Sequence, residues 1–334
     1  MNTKKRSVNP LKLALIILLV GISSCKDGEK KKEEKGTETH AKEMEAPFFK
    51  LSLAQWSIHK MIREEGMDPY QFAAKAKEWG FEGLEYVSQL YKLTEGNEQA
   101  SLDSIVVELK KRSEEHGIKN VLIMIDHEGD LAVNDKAERD EAIRRHSMWV
   151  DAAATLGCSS VRVNLFGGDA EKNPKAWHDN SVDAMGRLAA YAATKNINVI
   201  VENHGGLSSD AAKVVEVIKA INLPNCGTLP DFGNFCVKRD SGERWAGNCI
   251  EEYDIYKGIE ELMPYAKGVS AKSRDFDTQG NETGIDYAKM LQIVKDANFS
   301  GYIGVEYEGN ALSEEEGILA TKALLLKEGK KQAK

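Results

Sequence analysis

Three carboxylates stand where they could act together. Glu202, Asp231 and Glu306 each close an apolar run: INVIVENH at 197–204, TLPDFGN at 228–234 and IGVEYEG at 303–309. Side chains alternate along an extended strand. Ile197, Val199 and Val201 therefore share one face, and Ile200, Glu202 and His204 the other. The same parity sets Glu306 apart from Ile303 and Val305, and sets Ser270 and Lys272 apart from Val269 and Ala271. One acid at a strand end reads most simply as half of a salt bridge. Three acids converging on one mouth repel one another and need a divalent cation, a basic partner or a proton to coexist. An oxygen-rich set favours Mg, Mn or Ca, and an imidazole such as His204 would widen the choice to Co, Zn or Ni.

The elements that must hold these residues alternate from residue 47 onward. Strand-like runs fall at 50–57, 83–87, 120–126, 160–166, 198–204, 227–231, 268–272 and 302–307. Amphipathic stretches of helical period fall near 69–80, 101–117, 136–156, 179–195, 208–221, 252–264, 286–298 and 313–328. Ser313 with Glu316 forms a capping box, and Gly80 and Gly157 sit where helices should end. Strict alternation of eight strands and eight helices means parallel strands joined by crossovers. The expected fold is α/β, a (β/α)8 TIM barrel over 47–330. A doubly wound sheet would carry a glycine-rich phosphate turn after its first strand, and QWSIH at 55–59 is no such turn. Active sites of these barrels lie at the C-terminal ends of the strands, where the three acids are.

The motifs VENHGG (201–206), LPDFGN (229–234), VSAKSRDFD (269–277) and VEYEG (305–309) resemble the xylose isomerase-like TIM-barrel superfamily of sugar phosphate isomerase/epimerase type, related in fold to endonuclease IV. LAQWSIHK (53–60) and GCSSVRVN (157–164) are similar to it as well, so the resemblance spans roughly 48–325. It implies one divalent metal ion (Mn, Mg, Co or Zn) held by Glu202, Asp231 and Glu306. It also implies a histidine on the seventh strand, where this chain has Ser270, and a second three residues after Asp231, where it has Asn234. Ser270 is then a weak fourth ligand or a water holder. The chemistry implied is proton transfer next to a sugar carbonyl, with Glu202 and Glu306 as base and acid and Lys272 steadying enediolate charge. Lys272 is as readily a salt-bridge partner of a nearby acid.

His204, Asn234, Arg162 and Gln55 are the expected sugar-binding residues, with Ser57, Glu85, Asp126 and Asn164 as weaker inward candidates. By parity Trp56 faces out into packing. His127 follows a strand and could line the rim, while His116, His146 and His178 lie on helical stretches and read as structural. The function expected is a metal-assisted isomerase or epimerase of a free sugar or sugar derivative. The alternatives are a keto-glycoside lyase or hydrolase on the same site, and a barrel that only binds carbohydrate. A neutral-sugar binder would not need three carboxylates. A DNA-repair enzyme of the endonuclease IV type would need a histidine-rich site and a basic face.

Composition agrees. The chain has 45 basic and 53 acidic residues for a net charge of −8, and without the four basic residues of 1–24 the balance is −12. That argues against a general nucleic-acid or anionic-membrane binder, though a local basic patch is compatible with it. Lys4, Lys5, Arg6 and Lys12, then LALIILLVG (13–21), then ISSC (22–25), have the layout of an export signal. It resembles a bacterial lipobox with Cys25 lipidated, so the expectation is a signal peptide at 1–24 and a disordered charged tether at 25–46. The protein would then be lipid-anchored to the cell envelope, the outer membrane foremost, with no other membrane contact. Cys236 with Cys249 is the one pairing considered, and Cys158 and Cys226 read as buried thiols.

Overall fold

The computed structural model describes residues 46–167 and 170–332. The expected leader, Cys25 and almost all of the tether lie outside the described residues. Among the described residues ten strands form: β1 (Lys50–Ala54), β2 (Gly83–Val87), β3 (Lys119–Met124), β4 (Ser160–Val163), β5 (Asn198–Glu202), β6 (Cys226–Leu229), β7 (Cys236–Arg239), β8 (Cys249–Glu252), β9 (Val269–Ser273) and β10 (Tyr302–Tyr307). Eight of them make one parallel sheet in the order β6-β5-β4-β3-β2-β1-β10-β9. Its two ends meet through parallel bridges between Thr228 and Ala266 and between Asp231 and Ser270. Pro230 has no N–H to donate, so this seam is a broken ladder rather than a continuous one. The barrel expected from the alternation is the fold observed.

The outward parity is apolar and fully buried: Val161, Val199, Val269 and Val305 have no exposed surface. They pack beneath helices such as Lys136–Leu156 and Pro174–Ala193, whose inner faces carry Trp149, Ala153, Met185 and Leu188. Asp135, Asp210, Asp254 and Asp286 cap four helix N-termini by accepting backbone N–H bonds, each worth about 1 kcal/mol. Part of the acid surplus therefore serves the helices. Ser313 and Glu316 form the expected capping box, with Glu316 N donating to Ser313 Oγ at 3.2 Å and Ser313 N to Glu316 Oε2 at 3.0 Å. Gly157 takes positive φ as the C-cap of Lys136–Leu156, and Gly80 does so one residue past the cap of Phe72–Glu78.

Two departures bear on the site. The first strand stops at Ala54, not at 57, and turns into a 3-10 segment at Gln55–Ile58. The helix expected at 252–264 spans only Ile255–Leu262, because Cys249–Glu252 pairs antiparallel with Cys236–Arg239. This hairpin is an addition after the sixth barrel strand. The Cys236–Cys249 disulfide ties its two strands together diagonally, with Cα atoms 5.8 Å apart. Cys158 and Cys226 are free and buried, as expected. Among the described residues no helix is long and apolar enough to cross a membrane.

Candidate active site

Strand parity brings the three acids together as expected. Glu202 closes β5, Asp231 follows β6 and Glu306 lies on β10, with exposures of 1%, 0% and 4%. One oxygen from each lies within 4.8 Å of the other two. Ser270 Oγ sits 2.6 Å from Asp231 Oδ2 and 2.9 Å from Glu306 Oε2. A hydroxyl has one proton to give, so it cannot serve two carboxylates at once. One contact needs a proton on the carboxyl, or a cation between the acids. Burial pushes Glu202, Asp231 and Glu306 upward, Glu306 to about 7, and for Glu202 the neighbouring acids add to the rise.

Two basic groups face this floor. Arg162 on β4 places Nε 2.9 Å from Glu202 Oε2, outside hydrogen-bond alignment, and binds Asp126 at 2.6 and 3.3 Å. Lys272 on β9 lies 3.5 Å from Glu306 Oε2 and 3.0 Å from Glu308 Oε2. Burial works against both cations, and the surrounding acids outweigh it. Burial would also raise Glu308, but Lys272 holds it down to about 2. Five carboxylates thus share two cations. Protons or a divalent ion must close the difference. The three floor carboxylates with the Ser270 hydroxyl are an all-oxygen donor set, which fits a hard ion such as Mg or Mn. His204 does not join the cluster. Its Nδ1–H donates to Asn164 Oδ1 at 2.7 Å, and Asn164 Nδ2 donates to Asp126 Oδ1 at 2.7 Å. Desolvation, with Arg162 nearby, lowers His204 to about 3. It is a neutral imidazole whose Nε2 has no hydrogen-bond partner among the described residues and can accept.

A cavity of about 380 Å³ stands over this floor at the C-terminal mouth, and its lining includes Arg162, His204, Asn234, Lys272 and Glu306. Asn234 donates to Glu202 Oε1 at 3.2 Å. His127 lines it with φ at 63°. His146, read as structural, reaches it as well. Gln55 does not belong to the site. It donates to Tyr91 Oη at 2.7 Å and accepts from Val87 N at 3.2 Å, because the 3-10 turn carries it between β1 and β2. The same turn overturns the reading of Trp56, which lines the cavity and donates Nε1–H to Glu308 Oε1 at 2.6 Å. Glu308 was missed, although it shares Glu306's parity two residues on. The hairpin residues Arg239, Arg244 and Trp245 were missed too, for want of any periodic pattern. Trp245 lies 4.7 Å from the His204 ring and Arg244 3.9 Å above Phe166.

Below the floor, Glu85 on β2 is buried and accepts from Ser52 Oγ at 2.6 Å, while its Oε2 has no partner. A Cβ at Gly304 would come within 2.4 Å of that oxygen, so the glycine makes its room. Burial raises Glu85 from 4.5 to about 7. The folded state holds this proton more tightly than the unfolded one. Stability from this group is therefore full below pH 4.5 and is lost as pH rises towards 7. At about 1.4 kcal/mol per pKa unit, the loss is about 3 kcal/mol above pH 7. Glu85→Gln should raise the urea midpoint at pH 8 and leave it nearly unchanged at pH 4. Equal shifts at both pH values would show that ionisation is not the cause.

The closed barrel and its buried acids define an α/β-barrel protein with its polar site at the strands' C-terminal mouth. The chain matches the xylose isomerase-like TIM barrel family over residues 73–328 and belongs to it. Among solved structures, 3-keto-D-glucoside 4-epimerase YcjR from E. coli, in its apo form, is similar with a TM-score of 0.60 at 15% identity, covering 83% of this chain and 98% of that one. D-allulose 3-epimerase from Methylomonas sp. in complex with D-allulose gives 0.61 at 18% identity, covering 86% and 98%. The IOLI protein with a binding zinc atom gives 0.60 at 15%, covering 85% and 99%. At these identities the likeness is one of fold. No curated protein matches the sequence.

Proposed function

We propose that the chain is an isomerase or epimerase of a free sugar or sugar derivative that moves a proton on the carbon next to a carbonyl. The observation that carries this is the buried cluster of Glu202, Asp231 and Glu306, of which Glu306 lines a polar cavity together with Lys272, Asn234 and Arg162. Burial raises both carboxyls, Glu306 to about 7, which favours their holding a proton that a general acid can give. One takes the proton from carbon and the other returns it. Lys272 steadies negative charge on the enediolate oxygen. Asn234 and Arg162 fix Glu202, and His204 accepts from a sugar hydroxyl through Nε2. Glu202, Asp231 and Glu306, with Ser270 as a weak fourth donor, would hold one Mg or Mn ion, which supplies Lewis-acid polarisation of the carbonyl when bound. The sugar epimerase neighbours, one with D-allulose bound, support a carbohydrate substrate.

Metal analysis tests the ligand set. The purified protein supplemented with Mn should retain about one ion per chain on desalting, as a single mononuclear site requires, and Asp231→Ala should retain none. Equal retention by the two proteins would move the ion elsewhere. Turnover of a keto-sugar panel, followed by proton exchange from deuterated water at the carbon beside the carbonyl, tests the reaction itself. An enzyme that converts a sugar without such exchange would contradict the proton-transfer reading.

A further inference from the structure

The cavity wall has a charge pattern that a neutral sugar would not use. Among the described residues it carries six arginines and lysines and four carboxylates. All four carboxylates are already paired. Asp126 holds Arg162 at 2.6 Å, Asp130 holds Arg244 at 2.8 Å, and Glu306 and Glu308 share Lys272 at 3.5 and 3.0 Å. Arg63, Arg239 and Arg274 remain, with no carboxylate in ion-pair range among the described residues. Arg63 gives one bond to Gln89 Oε1 at 2.7 Å and lies 4.8 Å from the Trp56 ring. Arg239 gives one to the Gly247 carbonyl at 3.1 Å. The Arg274 guanidinium has no hydrogen-bond partner among the described residues. A guanidinium carries five N–H donors, so most of the donors on these three are unused. The pattern is not background, because the chain as a whole has 53 acidic residues against 45 basic ones.

Position gives the pattern a direction. Arg63 follows β1, Arg239 ends β7 of the hairpin and Arg274 follows β9, so all three come from the rim above the strand ends. The floor is acidic, and among the described residues the rim carries positive charge with no carboxylate paired to it. An anionic group on a ligand is repelled by the first and drawn to the second, and this fixes one end-to-end orientation. Carboxylate, phosphate and sulfate oxygens match the fork of an arginine. We infer that the substrate is an acidic sugar. Its reacting carbon lies over Glu202 and Glu306, and its carboxylate, or phosphate or sulfate ester, is held by Arg63, Arg239 and Arg274. This rests on the proposed sugar chemistry for the reacting end only; the anion site stands on the rim.

Titration calorimetry of the purified protein decides it. The probes are D-glucuronate, D-galacturonate, D-glucose 6-phosphate and D-glucose 6-sulfate, against D-glucose and D-galactose. At least one anionic sugar should bind about tenfold tighter than its neutral parent. The advantage should shrink with added salt and disappear in the Arg63→Ala/Arg274→Ala double variant, with the parent's affinity unchanged. Both arginines are exposed, so the fold does not depend on them. A uronate preference assigns a carboxylate, and an ester preference a phosphate or sulfate. No advantage for any anionic sugar, including no binding by any of them, overturns the inference. Turnover of neutral keto-sugars in that case would leave the proposed reaction standing. Tight anionic binding with no proton exchange on any sugar would keep the anion site and remove the reaction.

Discussion

Glu306→Gln is expected to lower kcat by about 10²–10⁴-fold, the usual contribution of a positioned acid or base. The amide keeps the shape and can still accept from Ser270, which stands 2.9 Å away. It cannot take or return a proton. Because burial raises Glu306 to about 7, removing its charge relieves the floor at neutral pH and above. The thermal midpoint should therefore hold or rise while turnover collapses. Both are measured on one preparation, by steady-state kinetics and thermal melting. Unchanged turnover would eliminate the two-glutamate mechanism. A collapse of both would show that Glu306 is structural.

Arg162→Ala should have the largest effect on stability, about 3–5 kcal/mol at pH 7, because it leaves buried acids without their cation. The side chain is 3% exposed and serves both Asp126 and Glu202. Burial alone would raise Asp126, but Arg162 outweighs it and holds that carboxyl well below its ordinary value. In the wild type this contribution is present above the unfolded value of 3.8 and fades on acidification. In the variant the freed carboxyls bind protons more tightly folded than unfolded, so its stability rises as pH falls. Urea unfolding curves at pH 7 and pH 5 should therefore draw together at the lower pH. A deficit of equal size at both would mean that lost packing, not lost charge, is responsible.

Much of the floor was legible in the sequence, because a parallel strand has a period of two and an apolar outer face. That rule alone placed Glu202, Ser270, Lys272 and Glu306 on the inner side, and the end of the sixth run gave Asp231. It should also have given Glu308, which follows Glu306 at the same parity. The rule failed where the backbone leaves the strand. Gln55 and Trp56 were read as a continuation of β1, but the chain turns at Ala54 and exchanges their directions. The rim was not legible. Arg63 ends the short helix His59–Arg63, too brief to show a period, Arg274 sits in a loop, and the hairpin that carries Arg239 and Trp245 buries too little to show alternation. Only the possible pairing of Cys236 with Cys249 hinted that this stretch had a form of its own.

The seam of the barrel has a mechanical meaning. Seven of its eight joints are strand ladders, one of them irregular at Leu84–Glu85, and the eighth, between β6 and β9, rests on two isolated bridges. One of those bridges is Asp231 to Ser270, the residues whose side chains sit at the acid floor. The weakest circumferential joint and the most concentrated negative charge therefore coincide. Like charges at a loose joint act as a wedge, and a cation held there would act as a rivet. Filling the site and breathing of the barrel wall would then be two faces of one equilibrium.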